Sequence, residues 1–66
     1  MQIELNGDRY RVDDGATVGA LIERLSLKGR RVAVEVNEEV IPKSRHPEHR
    51  LREGDRVEIV HAIGGG

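Results

Sequence analysis

The sequence predicts an α+β fold, a mixed sheet of four to five strands with one main helix packed across one face. Apolar and polar residues alternate with period two near the start, middle and end of the chain. One stretch between the first two of these carries a helical period instead, and clusters of Gly, Asn and Asp separate the segments.

In the first segment Ile3 and Leu5 share a face, Tyr10 and Val12 continue it, and Asn6-Gly7-Asp8 interrupts it. This is the pattern of a β-hairpin with a glycine-supported turn. After Asp13-Asp14-Gly15, Thr17 is placed to cap a helix in which Val18, Leu21, Ile22 and Leu25 recur at i, i+3, i+4 and i+7. Gly19 inside that helix costs up to ~1 kcal/mol relative to alanine. The helix is therefore expected to depend on docking to the sheet, with its exit at Lys28-Gly29.

Val32, Val34 and Val36 alternate with Ala33 and Glu35 as a third strand, and Val40-Ile41 makes a short fourth that Pro42 stops. From Lys43 to Arg52 there is little periodicity. That stretch reads as a surface loop with room for one helical turn, anchored by Leu51. Glu53-Gly54-Asp55 then turns into a last strand, Arg56 to Ala62, with Val57 and Ile59 on one face and Glu58, Val60 and Ala62 on the other. The second face is more apolar than a solvated surface requires.

A hairpin, a helix and further strands joined by a right-handed crossover give β-grasp, ubiquitin-like architecture. The expected core is Ile3, Leu5, Val12, Val18, Leu21, Ile22, Leu25, Val34, Val36, Ile41, Leu51, Val57 and Ile59. Residues 1–63 form the expected domain and residues 64–66 a flexible glycine tail.

Composition narrows the function. A chain of 66 residues supports one small domain and only a shallow cleft. It has no cysteine for a disulfide or a thiolate metal site. Twelve acidic residues against 11 basic ones leave no cationic excess for a phosphate backbone, and Tyr10 is the lone aromatic residue for base stacking, so no nucleic-acid partner is expected. No apolar run approaches the ~20 residues of a membrane span, and the start lacks a secretory pattern, which points to a cytoplasmic protein; when free it is expected to be a monomer.

Side-chain chemistry is sparse. His46 and His49 flank Glu48 in a proline-containing loop without a third convincing ligand, so a structural or solvated role is expected and no metal site. His61 has no neighbouring nucleophile or orienting group and reads as a surface or partner-facing residue. Arg30-Arg31 and the basic residues from Lys43 to Arg52 offer a patch for an acidic partner, although interspersed acids make ordinary solvation the default. No Gly-x-x-x-x-Gly-Lys loop is present, so ATP is expected on a partner and no cofactor on this chain.

The glycines Gly64, Gly65 and Gly66 carry the strongest functional signal. Without Cβ atoms they form a thin peptide that can thread a narrow channel, and fully extended they carry the Gly66 carboxylate on the order of 10 Å beyond the preceding residues. A carboxylate is a poor electrophile until an adenylyl group from ATP gives it a leaving group. A sulfur nucleophile can then displace AMP to leave a thiocarboxylate. Ordering the tail costs about 1–2 kcal/mol of backbone entropy per residue, so a docking surface beside it, Val60, Ala62 and Ile63, is expected to supply affinity.

The residues Met1-Gln2-Ile3 with Asn6-Gly7, Thr17-Val18, Val36-Asn37 with Val40-Ile41-Pro42, Gly54-Asp55-Arg56-Val57-Glu58-Ile59, and Gly65-Gly66 occur in an order that resembles the ThiS family, the small β-grasp sulfur carriers of thiamin biosynthesis. The resemblance covers essentially the whole chain. It implies that an enzyme related to ubiquitin-activating (E1-like) enzymes adenylates Gly66 with ATP and magnesium. A cysteine desulfurase pathway then supplies sulfur, and thiazole synthase receives it. Alternatives are a carrier for molybdopterin or transfer RNA thiolation, a non-covalent ubiquitin-like interaction module, and a modifier joined to lysines through Gly66.

Overall fold

The computed structural model describes residues 1–61. Its strands are β1 (Gln2–Leu5), β2 (Asp8–Arg11), β3 (Val32–Val36), β4 (Glu39–Ile41) and β5 (Arg56–His61), with helix α1 (Val18–Arg24) between β2 and β3 and a short 3-10 turn at Lys43–Arg45. Among the described residues the strands form a five-stranded sheet in the order β2-β1-β5-β3-β4. β1 and β5 run parallel and the other pairs antiparallel, so the sheet is mixed as expected.

Both hairpins turn on two residues with positive φ, Asn6 (49°) with Gly7 (89°) and Asn37 (52°) with Glu38 (70°). These are the left-handed conformations of a type I′ turn, whose twist matches that of the flanking strands. The two asparagines also hold the central strand. The Asn6 backbone N–H donates to Val57 O at 2.9 Å; its side chain accepts from Ile59 N–H at 2.9 Å and donates to Ile59 O at 3.2 Å. On the other flank, Asn37 N–H donates to Arg56 O at 2.7 Å and Arg56 N–H donates to Asn37 Oδ1 at 3.0 Å. An asparagine thus extends the ladder on each side of β5 where β1 and β3 end.

Among the described residues, the inner face of the sheet and the apolar stripe of α1 bury eleven hydrophobic residues, from Ile3 to Ile59, in one cluster. Two residues expected in that core, Leu5 and Leu25, are only half-buried and pack against it. Leu5 ends β1 beside the turn, and Leu25 is the helix C-cap, where one side has no neighbouring turn to cover it.

The helix ends at Arg24, ahead of the expected exit at Lys28-Gly29. Ser26 takes φ 61°, its N–H donates to Glu23 O at 3.0 Å, and Leu27 N–H donates to Ile22 O at 2.9 Å. This pair of bonds is a Schellman closure, which needs a left-handed residue where glycine is usual. Serine occupies that position here, so the usual signal was missing.

Residues 43–52 do more than cross the surface. The first N–H groups of a helix have no partner within it. Here Val18 N–H donates to His49 O at 2.9 Å and Gly19 N–H to His46 O at 2.8 Å, while Thr17 supplies Oγ1 to Ala20 N–H at 3.1 Å and its carbonyl to Leu21 N–H at 3.0 Å. Leu51 N–H donates back to Ala16 O at 2.8 Å, and Leu51 itself is buried. His46, 9% exposed, places Nε2 3.0 Å from Ile41 O, so this nitrogen carries the proton and the ring ties the segment to β4.

That close docking explains Gly19. A Cβ there would stand 3.3 Å from His46 O and 3.4 Å from the Pro47 Cα, both backbone atoms. Gly19→Val, which adds a Cβ and two methyl groups at this contact, is expected to cost on the order of 2 kcal/mol or more by overpacking. Gly19→Ala should fall short of the ~1 kcal/mol that the exchange gives in an open helix. Urea melts of both variants check this; a stabilised valine variant would mean that the 46–47 backbone yields freely.

Candidate functional site

β5 is the site's scaffold, because it is the strand from which the chain runs on toward the glycines. It lies between β1 and β3, with Val57 and Ile59 buried beneath the helix. The period of two then turns Arg56, Glu58 and Val60 to the outer face of the sheet. Val60 is 59% exposed there. It stands opposite exposed Ala33 on β3, and Glu35 on β3 stands between Glu58 on one side and Val40 of β4 on the other. Val40 is 62% exposed.

The outer face therefore presents two valines and an alanine around a pair of glutamates. Of the expected docking residues the structure places Val60 on this face; Ala62 and Ile63 lie outside the described residues, as do Gly64, Gly65 and Gly66. Val40 and Ala33 join Val60 through strand register. Alternation within Glu39-Val40-Ile41 signals that Val40 faces outward once Ile41 is assigned to the core, but the pairing of β3 with β5 that brings Ala33 to Val60 has no local mark in the sequence.

The other candidate residues separate. His46 is buried against the Ile41 carbonyl, His49 is half-buried, and His61 is exposed at the end of β5 opposite Val32. No group of three or more His, Cys, Asp or Glu side chains among the described residues is placed to hold a metal. The basic residues do not gather into one patch. Arg30 and Lys43 border one hollow with Glu23, whereas Arg45, Arg50 and Arg52 border another with Glu39, Glu48 and Asp55. Among the described residues no helix is long and apolar enough to cross a membrane.

The sequence model of the ThiS family matches residues 2–66, which takes in every strand and the glycines. The chain belongs to the ThiS family. Its family relatives include the sulfur carrier protein ThiS of Bacillus subtilis, 39% identical, with 97% of this chain and 98% of that protein covered. A crystal structure of the thiamine biosynthesis protein ThiS from Geobacter metallireducens, 30% identical, superposes with a TM-score of 0.86 over 100% of both chains, consistent with the β-grasp architecture. A thiazole synthase of Paramagnetospirillum magneticum is 41% identical over all of this chain, which spans only 20% of that protein's length. Membership in the ThiS family bears out the resemblance carried by Asn6-Gly7, Val36-Asn37 and the stretch from Gly54 to Ile59.

Proposed function

We propose that this chain is a sulfur carrier of thiamin biosynthesis whose reacting group is the Gly66 carboxylate. The observation that carries the reading is its end-to-end likeness to a ThiS sulfur carrier, with a family match that runs through Gly66. An oxygen of the carboxylate attacks the α-phosphorus of ATP and expels pyrophosphate. Hydrosulfide released by the donor then adds to the acyl carbon, and AMP and a proton depart, leaving the thiocarboxylate. ATP and magnesium belong to an E1-like adenylating partner, and the sulfur comes from a cysteine desulfurase pathway. The chain is a substrate in each step, working in the cytoplasm as a free monomer between encounters, and is not itself an enzyme.

Thiazole synthase is the proposed recipient. A stretch resembling this chain forms one fifth of a protein that bears that name, and joining a carrier to its acceptor raises their effective concentration. Residues 1–63 serve as the folded body and 64–66 as the lead. Val60, Ala62 and Ile63 dock the partner so that entry of the tail is not left to the glycines alone.

Intact-mass measurement after incubation with ATP, magnesium, the adenylating enzyme and a sulfur donor tests the carrier role. A gain equal to exchange of one oxygen for sulfur, localised to Gly66 by fragmentation, is expected. No change with a demonstrably active enzyme would favour a non-covalent interaction module. For the docking role, Val60→Ser should raise KM for adenylation roughly 5–10-fold with kcat and the melting temperature unchanged. A fall in kcat alone would place Val60 outside the docking contact.

A further inference from the structure

The outer face treats its glutamates unequally. Glu4 stands opposite Arg9 on β2 and in register with Arg56 on β5, a cation on each flank. Glu35 and Glu58 instead stand directly opposite each other. Beyond Glu35 lies Val40, and Val60 stands two residues along β5 from Glu58. None of these three glutamates makes an ion pair with a described residue, and Arg56 is the one cation lining the hollow that Glu4, Glu35, Glu38 and Glu58 share. Like charges directly opposite on neighbouring strands destabilise a sheet, so the fold gains nothing from this pair. The pair is framed by Val40 and Val60, the two large hydrophobic residues that stand exposed among those described.

We propose that the Glu35–Glu58 pair is a recognition point for an arginine or lysine on the protein that takes the glycine tail, seated within an apolar rim that covers Val40 and Val60. The inference rests on the docking role given above to the face around Val60. A guanidinium fits best, because its fork of donors can bridge two carboxylates, and arginine among apolar neighbours is the composition enriched at protein interfaces. Continuity supports the same occupant: a partner that receives the residues after His61 passes over the end of β5. Four carboxylates against one arginine around that hollow attract a cationic surface, and Glu35 and Glu58 lose their mutual repulsion on contact, which makes the encounter salt-dependent.

The test compares Glu35→Gln, Glu58→Gln and the double variant with wild type in steady-state adenylation and in titration calorimetry against the adenylating enzyme, at low and high salt. Asp13→Asn, an exposed carboxylate in the loop before the helix, controls for net charge. The double variant should melt at or above the wild-type temperature, show KM and Kd raised about tenfold with kcat unchanged, and lose much of the salt dependence. KM and Kd equal to wild type, or shifted no further than in Asp13→Asn, would overturn the inference. A wild type that binds the enzyme yet never gains sulfur sinks the carrier reading alone, since the Kd comparison still decides the role of the pair. Absence of any wild-type binding removes both.

Discussion

With Gly66 replaced by alanine, the protein is expected to melt as the wild type does and to form its acyl-adenylate at least ~100-fold more slowly, because small displacements of a reacting group carry penalties of that size. The added methyl sits on the carbon next to the carboxylate, in the part of the tail proposed to enter the partner's channel. Every buried hydrophobic residue among those described lies at or before Ile59, so the substitution changes none of the described core residues. Deleting Gly66 gives a complementary variant, in which Gly65 becomes terminal and the reach shortens by about 3.3–3.6 Å. Calorimetry beside single-turnover adenylation separates the two properties. Full activity in the alanine variant would show that the channel has room for a side chain, and a lowered melt would give the tail a part in the fold.

Asn6→Ala is expected to be the most damaging single truncation on the surface. Alanine at φ 49° bears the left-handed strain that asparagine tolerates, and it removes both side-chain bonds to the Ile59 backbone. Strain of about 1–2 kcal/mol and two lost bonds at about 1 kcal/mol each give a loss of roughly 3–4 kcal/mol, which lowers Tm by on the order of 10–30 °C in a domain this small. Asn6→Gly separates the contributions, since it relaxes the turn and removes only the bonds. Thermal melts of both variants check the ranking: equal losses would assign the whole effect to the hydrogen bonds, and no loss in either would remove Asn6 from the support of β5.

What the sequence made legible was whatever repeats along the chain. Ile3, Val34, Val57 and Ile59 alternate, Val18, Leu21 and Ile22 recur with the helical period, and both sets are buried as expected. Contacts made by backbone carbonyls leave no such trace. The His46 and His49 carbonyls that receive the helix N–H groups could not be read from residue type, and their one signal, Gly19, looked like a helix-weakening defect. In the structure it is the clearance that the 46–47 backbone needs. Ser26 misled in the opposite sense, holding a conformation usually marked by glycine and so hiding the end of the helix. For the candidate site, Val60 was legible from the alternation of β5, whereas its neighbours Val40, Ala33 and Glu35 depended on register across strands distant in sequence. The glycines were legible by composition, and their part in the chemistry stands on the family pattern.

The position of β5 also matters mechanically. A pull on the chain beyond His61 is transmitted along the axis of a strand bonded on both sides, to β1 and to β3. Bonds in the two ladders take the load together in shear, with the asparagine clamps at Arg56 and Ile59 in series, whereas a strand at the rim of the sheet could peel away bond by bond. Tension applied through the residues after His61 therefore loads two ladders at once, and β5 is expected to hold under a force that would unzip an edge strand.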